Sequence, residues 1–176
     1  MMPVLRPITA ADNPALARII RDALTEYGAA KPGTVYYDPT TDFLFELFRQ
    51  PGSCYFVAET AAGTGNATRL QGGAGIFPTP GLPPGCCELV KLYLRREARG
   101  QGLGARLIQH CLEAATALNY RQVYLETLPE LHQAIHLYQS FGFRQLDGPL
   151  GDSGHFGCDL WMLKDLDSPQ PASSTS

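Results

Sequence analysis

No stretch of this sequence stays apolar for anything near the roughly 20 residues that cross a bilayer. The opening Met1-Met2-Pro3-Val4-Leu5-Arg6-Pro7 also lacks the basic-then-apolar order of a secretory signal. A membrane association is therefore not expected, and a cytoplasmic protein is. An excess of one charge is missing as well: 14 lysines and arginines stand against 17 aspartates and glutamates, a formal charge of -3. Nucleic-acid binding, which draws on a basic surface to meet phosphates, is not expected either. The cysteines Cys54, Cys86, Cys87, Cys111 and Cys158 are odd in number and contain no C-x-x-C pair, which speaks against a disulfide framework and for a reducing compartment. Histidine is scarce, at 4. His132 and His136 have the i, i+4 spacing of a zinc-protease helix, but Gln133 stands where that motif needs glutamate and no third ligand has a matching spacing, so no metal is expected. No internal repeat is visible.

What is present is the composition of a globular domain: 176 residues, 44% hydrophobic and 18% charged, enough to bury a core. Residues 1–166 read as one domain. Residues 167–176, rich in serine and proline, have nothing to bury and read as a flexible tail.

Periodicity gives a mixed α and β order. Val4 to Ile8 reads as a strand, and Asp12 or Asn13 can cap a helix carrying Leu16, Ile19, Ile20 and Leu24. A loop from Gly28 to Pro39 precedes a second amphipathic helix at Phe43, Leu44, Leu47 and Phe48, ended by Pro51-Gly52. Tyr55 to Ala58 and Leu70 to Phe77 read as strands around a turn at Gly63 to Asn66, the second weakened by glycine. Cys86 to Leu94 is a strand with two charges in it. Its alternation groups Glu88, Val90, Leu92 and Leu94 opposite Leu89, Lys91 and Tyr93. A long helix starts at Gly102, a strand follows at Gln122 to Thr127, and Leu131 to Phe141 forms a helix capped by Gly142. Strands at Phe143 to Leu146 and Phe156 to Leu163 close the chain. The single strand-helix-strand unit in the middle predicts one parallel pair in an otherwise antiparallel sheet.

Arg99-Gly100-Gln101-Gly102-Leu103-Gly104 follows a strand and opens a helix, the setting in which backbone N–H groups and the helix dipole converge on an anion. It is not a dinucleotide fingerprint, because Leu107 stands where the last glycine would, and no Walker lysine follows. Read alone, it is equally a tight strand-to-helix turn.

Arg99, Gly102 and Gly104 fill the three defining positions of Gln or Arg, x, x, Gly, x, Gly or Ala, and Leu137-Tyr138-Gln139-Ser140-Phe141-Gly142-Phe143 matches a Leu-Tyr-x-x-x-Gly-Phe run. In both, the chain resembles the GCN5-related N-acetyltransferase superfamily, most strongly from Cys86 to about Leu146 and, by element order, from Val4 to about Lys164. The resemblance implies an acyl-CoA N-acyltransferase fold of the α+β class, a mixed, mostly antiparallel sheet of six or seven strands flanked by about four helices. It implies acetyl-CoA as cosubstrate, its pyrophosphate on the loop amides of Gly100, Gln101, Gly102, Leu103, Gly104 and Ala105, and its pantetheine arm on main-chain groups of Leu92 and Leu94 beside a bulge in the central strand. Arg99 either pairs with a phosphate or is a solvated arginine. Relatives often carry asparagine where this chain has His132, which can still donate a hydrogen bond to the coenzyme arm. Relatives also often pair, so a homodimer is an expectation.

The implied reaction is direct transfer of acetyl to a primary amine of a small molecule, an amino acid or a peptide. An amine with a pKa of about 10.4 is roughly 0.1% neutral near pH 7.4, so a base is needed, and the leaving thiolate benefits from an acid. Tyr138 matches the family's acid, with a core tyrosine as the other reading. Glu88, eleven positions before Arg99, matches the base of the histone-acetylating branch, with a solvent-facing carboxylate as the other reading. Glu126 is a second candidate base or a clamp for the substrate ammonium. Tyr36 and Tyr37, beside Asp38, are candidates for the acceptor pocket. A nucleophilic Cys86 or Cys87 is conceivable, but buried structural thiols account for them better. His110 and His155 read as surface or loop residues. The alternative class is a non-catalytic regulatory or sensor module that holds coenzyme A on the same fold.

Overall fold

The computed structural model describes residues 2–63 and 67–167. The expected turn at Gly63 to Asn66 falls, except for its first residue, outside the described residues, as does all of the expected tail but Asp167. Seven strands form one sheet: β1 (Val4–Pro7), β2 (Cys54–Ala61), β3 (Thr68–Phe77), β4 (Cys86–Leu94), β5 (Gln122–Thr127), β6 (Arg144–Leu146) and β7 (Leu160–Asp165). Their order across the sheet is β1-β2-β3-β4-β5-β7-β6. Only the β4–β5 pair is parallel; the other pairs are antiparallel. The helices are α1 (Asn13–Glu26), α2 (Leu44–Leu47), α3 (Leu103–Ala117) and α4 (His132–Ser140). Among the described residues no helix is long and apolar enough to cross a membrane.

The sheet separates two cores. On one face Leu16, Ile19, Ile20 and Leu24 of α1 pack on Tyr55, Val57 and Leu70. On the other, Leu107, Ile108 and Cys111 of α3 pack on Ala58, Ala74, Ile76 and Val123. The period-two alternation of β2 sends successive residues to opposite cores, as a strand buried on both faces requires.

Two elements differ from the sequence reading. The second helix shrinks to the single turn of α2, with Phe43 exposed and Leu44 buried; the side chain of Asn13 accepts the Phe45 amide at 2.9 Å and fixes this short turn against the start of α1. The last strand begins at Leu160 rather than Phe156, because the loop before it turns away and pairs with the early loop through Gly157 N–H to the Gly33 carbonyl, 2.9 Å.

The expected alternation of β4 also fails. Gly75 pairs with Val90 and Gly73 with Tyr93, so Lys91 and Leu92 together oppose Ala74. This is a β-bulge, and Lys91 sits at its centre with φ of 55°. The extra residue reverses the phase of the strand. Cys87 and Leu89 before the bulge share a core with Leu92 and Leu94 after it, whereas Val90 and Tyr93 pack on the α1 side. Glu88 therefore does not share a face with Leu92 and Leu94.

The bulge is held from across the sheet. The Tyr55 hydroxyl donates to the Lys91 carbonyl at 2.8 Å. Its ring reaches that carbonyl by lying over β3, where a Cβ on Gly73 or Gly75 would stand within 2.6 Å of it. The glycines that weaken β3 as a strand make the space for this bond. Replacing Tyr55 with Phe leaves the carbonyl buried without its partner, and urea denaturation should show a loss of about 1–3 kcal/mol; a loss of only a few tenths would mean that the bulge is held by something else.

Candidate active site

β4 and β5 pair only over Cys86–Glu88 and Gln122–Tyr124. Beyond Glu88 the two strands part, and the bulge turns β4 away from β5. A cleft of about 330 Å³ opens beside this split, walled by Leu92, Tyr93 and Leu94 of β4, by Ala23 and Tyr27 of α1, by Arg99, Gly100, Gly102, Gly104 and Ala105, and by Leu131, Gln133, Ala134 and Leu137 at α4.

Gly102 caps α3 with φ of 77°, a conformation that favours glycine. Intrahelical bonding begins with Arg106 N–H to the Gly102 carbonyl at 3.1 Å, so the amides of Leu103, Gly104 and Ala105 have no acceptor within the helix and carry the positive end of its dipole. Gly104 keeps the cleft open: a Cβ there would meet Leu137 at 3.0 Å and Leu94 at 3.8 Å. Arg99 anchors the loop. Its guanidinium donates to the Leu94 carbonyl at 3.0 and 3.2 Å and to the Tyr27 hydroxyl at 3.0 Å, lies over the Tyr27 ring and pairs with Glu26.

Not every expected residue reaches the cleft. The Gln101 side chain turns back to the Glu97 carbonyl and the Leu103 side chain is buried, so these two residues, expected through their amides, offer main chain alone. His132 is exposed at the start of α4, and its neighbour Gln133 lines the wall instead. His136 is exposed as well. Tyr138 packs in the core edge-on to Phe143 rather than lining the cleft. Its phenol is held above the usual range by burial first and by nearby Cys111 second.

Tyr93 and Leu131 also line a second, smaller pocket of about 40 Å³. Glu88 and Glu126 project into it from β4 and β5, and His155 and Cys158 come from the loop before β7. Donor atoms of Glu88, Glu126 and His155 all lie within 4.8 Å of one another. The Thr79 hydroxyl donates to Glu88, and the Tyr124 and Ser153 hydroxyls donate to Glu126. Burial lifts the Glu88 carboxyl to about 7; Thr79 works against this, and the neighbouring charge of Glu126 adds to it. The Cys158 thiol is pushed up to about 12 by burial and then by Glu126 and Glu88. Cys86 and Cys87 are buried, and burial raises both thiols, Cys86 to about 11, which leaves little thiolate for a nucleophile.

Tyr36 and Tyr37 do not line this pocket; Thr34 and Val35 do, and Tyr37 is exposed. Asp38, next to them in the chain, is the residue of that trio that reaches the site. It accepts from His155 Nε2 at 2.8 Å and stands 3.6 Å from the buried Lys91 ammonium. Burial opposes ionisation of Asp38, but His155, Lys91 and the Thr40 hydroxyl and amide outweigh it and hold the carboxyl well below the usual range. Burial lowers Lys91, and Asp38 restrains the fall. The sequence reading missed Lys91, Tyr93 and His155 as site residues. The charge inside a β-forming run was the available signal for Lys91; for His155, 117 positions from Asp38, there was none.

A strand split beside a bulge, with a helix N-terminus at its mouth, is the arrangement that the resemblance to the acyl-CoA N-acyltransferase fold implies. The pattern of the acetyltransferase (GNAT) family matches residues 16–143. Over 165 residues the chain is 39% identical to the uncharacterized N-acetyltransferase YjgM of Escherichia coli, which takes in 93% of this chain and 95% of that one. An acetyltransferase of the GNAT family from Staphylococcus aureus has the same fold, with a TM-score of 0.80 at 16% identity over 94% of this chain and 99% of that one. YncA of Salmonella typhimurium, solved with acetyl-CoA, gives 0.72 at 19% identity over 99% and 100%. The chain belongs to the acetyltransferase (GNAT) family and is an enzyme of that class.

The Asp38–Lys91 pair should be costly to break from one side. Asp38→Asn leaves a buried ammonium without its counterion, for an expected loss on the order of 3 kcal/mol at neutral pH, and Lys91→Met in the same chain should recover most of it. Because the folded Asp38 carboxyl titrates lower than the unfolded one, the wild-type advantage is complete at neutral pH and fades as the pH falls below about 4. Denaturation curves of the two single variants and the double variant at pH 7 and pH 3.5 check this; additive losses would refute the pairing.

Proposed function

We propose that this chain is an N-acetyltransferase that takes acetyl-CoA as cosubstrate and moves its acetyl group directly to a primary amine of a small molecule, an amino acid or a peptide. The observation that carries the reading is the meeting of two cavities at Tyr93: an apolar cleft with free helix-start amides at one end, and a carboxylate pocket at the other.

The residues of the cleft suit the group. Open space lies above Gly100 and Gly102, and the amides from Gly100 to Ala105 would hold the pyrophosphate. Leu92 and Leu94, past the bulge, offer main-chain groups to an extended arm as an added strand would use them. Acetyl-CoA supplies an activated acyl carbonyl on a thiolate leaving group.

The rest of the work falls to the chain itself. Glu126, fixed by Tyr124 and Ser153, holds the incoming ammonium. Glu88 takes its proton. A carboxyl titrating near 7 is matched to that task, because it is ionised in a useful fraction at neutral pH and is far more basic than an exposed glutamate. The departing thiolate takes its proton from Tyr138, which must turn its hydroxyl from the core into the cleft to do so, or from Tyr93, the phenol that lines both cavities. A sensor that only held coenzyme A would have no use for two carboxylates beside Tyr93.

Thiol release from acetyl-CoA in the presence of amines tests the reading. Glu88→Gln should lower kcat/KM by about 10²–10⁴ and abolish the limb on which wild-type activity falls as the pH drops through about 7. Tyr138→Phe should lower kcat while sparing KM. An unchanged pH profile in Glu88→Gln would remove the base, and a full loss in Tyr93→Phe with none in Tyr138→Phe would move the acid to Tyr93.

A further inference from the structure

We propose that the acceptor is an amine carried on an unbranched aminomethyl group with no carboxylate near it, as in a lysine side chain or an alkyl polyamine, and that α-amino groups of amino acids are poor acceptors. This rests on the transferase reading and deepens it.

Size is the first constraint. The pocket is narrow, about 40 Å³ against about 330 Å³ for the cleft, room for only a few water-sized groups. A nitrogen with methylenes in line behind it suits such a space better than a branched α-carbon, which carries both a side chain and a carboxyl or amide carbon. The walls at Val35, Leu89, Val90 and Leu128 are apolar and belong to the packed cores. The roof is tied down from the other side: Gly157 N–H bonds the Gly33 carbonyl, and His155 Nε2 meets Asp38. A Cβ on Gly157 would stand 2.6 Å from the Pro32 carbonyl oxygen, so the two loops are in direct contact over the pocket.

Charge is the second. Glu88 and Glu126 line the space and Asp38 borders it. The Lys91 ammonium lies 3.6 Å from Asp38, and His155 Nε2 meets the same carboxylate at 2.8 Å. Among the described residues no salt bridge reaches Glu88 or Glu126, and hydroxyls of Thr79, Tyr124 and Ser153 donate to them. The pocket therefore welcomes an ammonium and repels a carboxylate placed two bonds from it. A free amino acid brings that carboxylate with it; an aminomethyl chain does not. The apolar walls suit the methylenes behind the nitrogen.

A set of matched acceptors separates the two constraints, with rates compared at equal concentrations of neutral amine. Glycinamide against alaninamide isolates branching, and glycinamide against glycine isolates the carboxylate. Nα-acetyllysine methylamide against Nε-acetyllysine methylamide sets the two amines of one residue against each other, and 1,5-diaminopentane distinguishes a free polyamine from a lysine in a peptide. The ε-amine should exceed the α-amine by at least 100-fold in kcat/KM, a margin within reach of a pocket that rejects by both shape and charge. Calorimetric titration of the CoA-loaded protein with 1,5-diaminopentane and with alaninamide should show binding of the first only. Val35→Ala, checked for folding by thermal melting, should raise alaninamide relative to glycinamide. Equal or greater rates with α-amines overturn this inference and leave the transferase reading standing. Absence of thiol release with every amine, in a protein that binds acetyl-CoA, overturns the transferase reading itself.

Discussion

The bond from the Tyr55 hydroxyl to the Lys91 carbonyl is the constraint on which the rest of the site depends. It holds the one place in β4 where two residues oppose one. That extra residue turns Leu92 and Leu94 toward the cleft while Glu88 stays on the other face, so that the two halves of a transfer site lie on opposite sides of one short strand. β3 makes room by giving up side chains at Gly73 and Gly75. A strand that is poor by propensity is in this way required by its neighbour's ring.

The second organising feature is electrostatic. Lys91, at the bulge, is buried and would be untenable alone; Asp38 compensates it and in turn holds His155. The same carboxylate ties the bulge to the loop before β7 at the edge of the second pocket. Glu88 and Glu126 are left as an unneutralised pair, and burial together with their mutual repulsion accounts for a carboxyl titrating near 7. In this network Lys91 and Asp38 satisfy each other internally, whereas the two carboxylates of the second pocket have no salt bridge among the described residues.

The local parts of this arrangement were legible in the sequence. The strand, glycine turn and helix from Cys86 to Ala117, and the parallel pairing with Gln122 to Thr127, follow from periodicity and from the position of Gly102 and Gly104. Glu88 was singled out by the family resemblance and Glu126 by its place near the end of a strand, and both side chains line the second pocket. The bulge was implied by the family resemblance but could not be placed by alternation, which assumes that no residue is inserted; the phase error at Leu92 and Leu94 follows directly. Tyr36 and Tyr37 were read as pocket residues for their chemistry, but the short turn at Val35–Tyr37 faces Thr34 and Val35 inward. His132 failed for a similar reason: the first turn of α4 presents Gln133 and Ala134 to the cleft. His155 depends on two loops far apart in the chain finding each other, and no local pattern encodes that.

The proposed acetyl-CoA site lies at the split between β4 and β5 and the open start of α3. Calorimetric titration of the purified protein with acetyl-CoA, beside a folded Gly104→Glu variant that crowds Leu137 and brings a carboxylate to the mouth of the cleft, tests it most directly. Micromolar binding that falls by at least about ten-fold in the variant is the predicted result. Absence of binding to the wild type, or equal affinity in both proteins, would contradict the account.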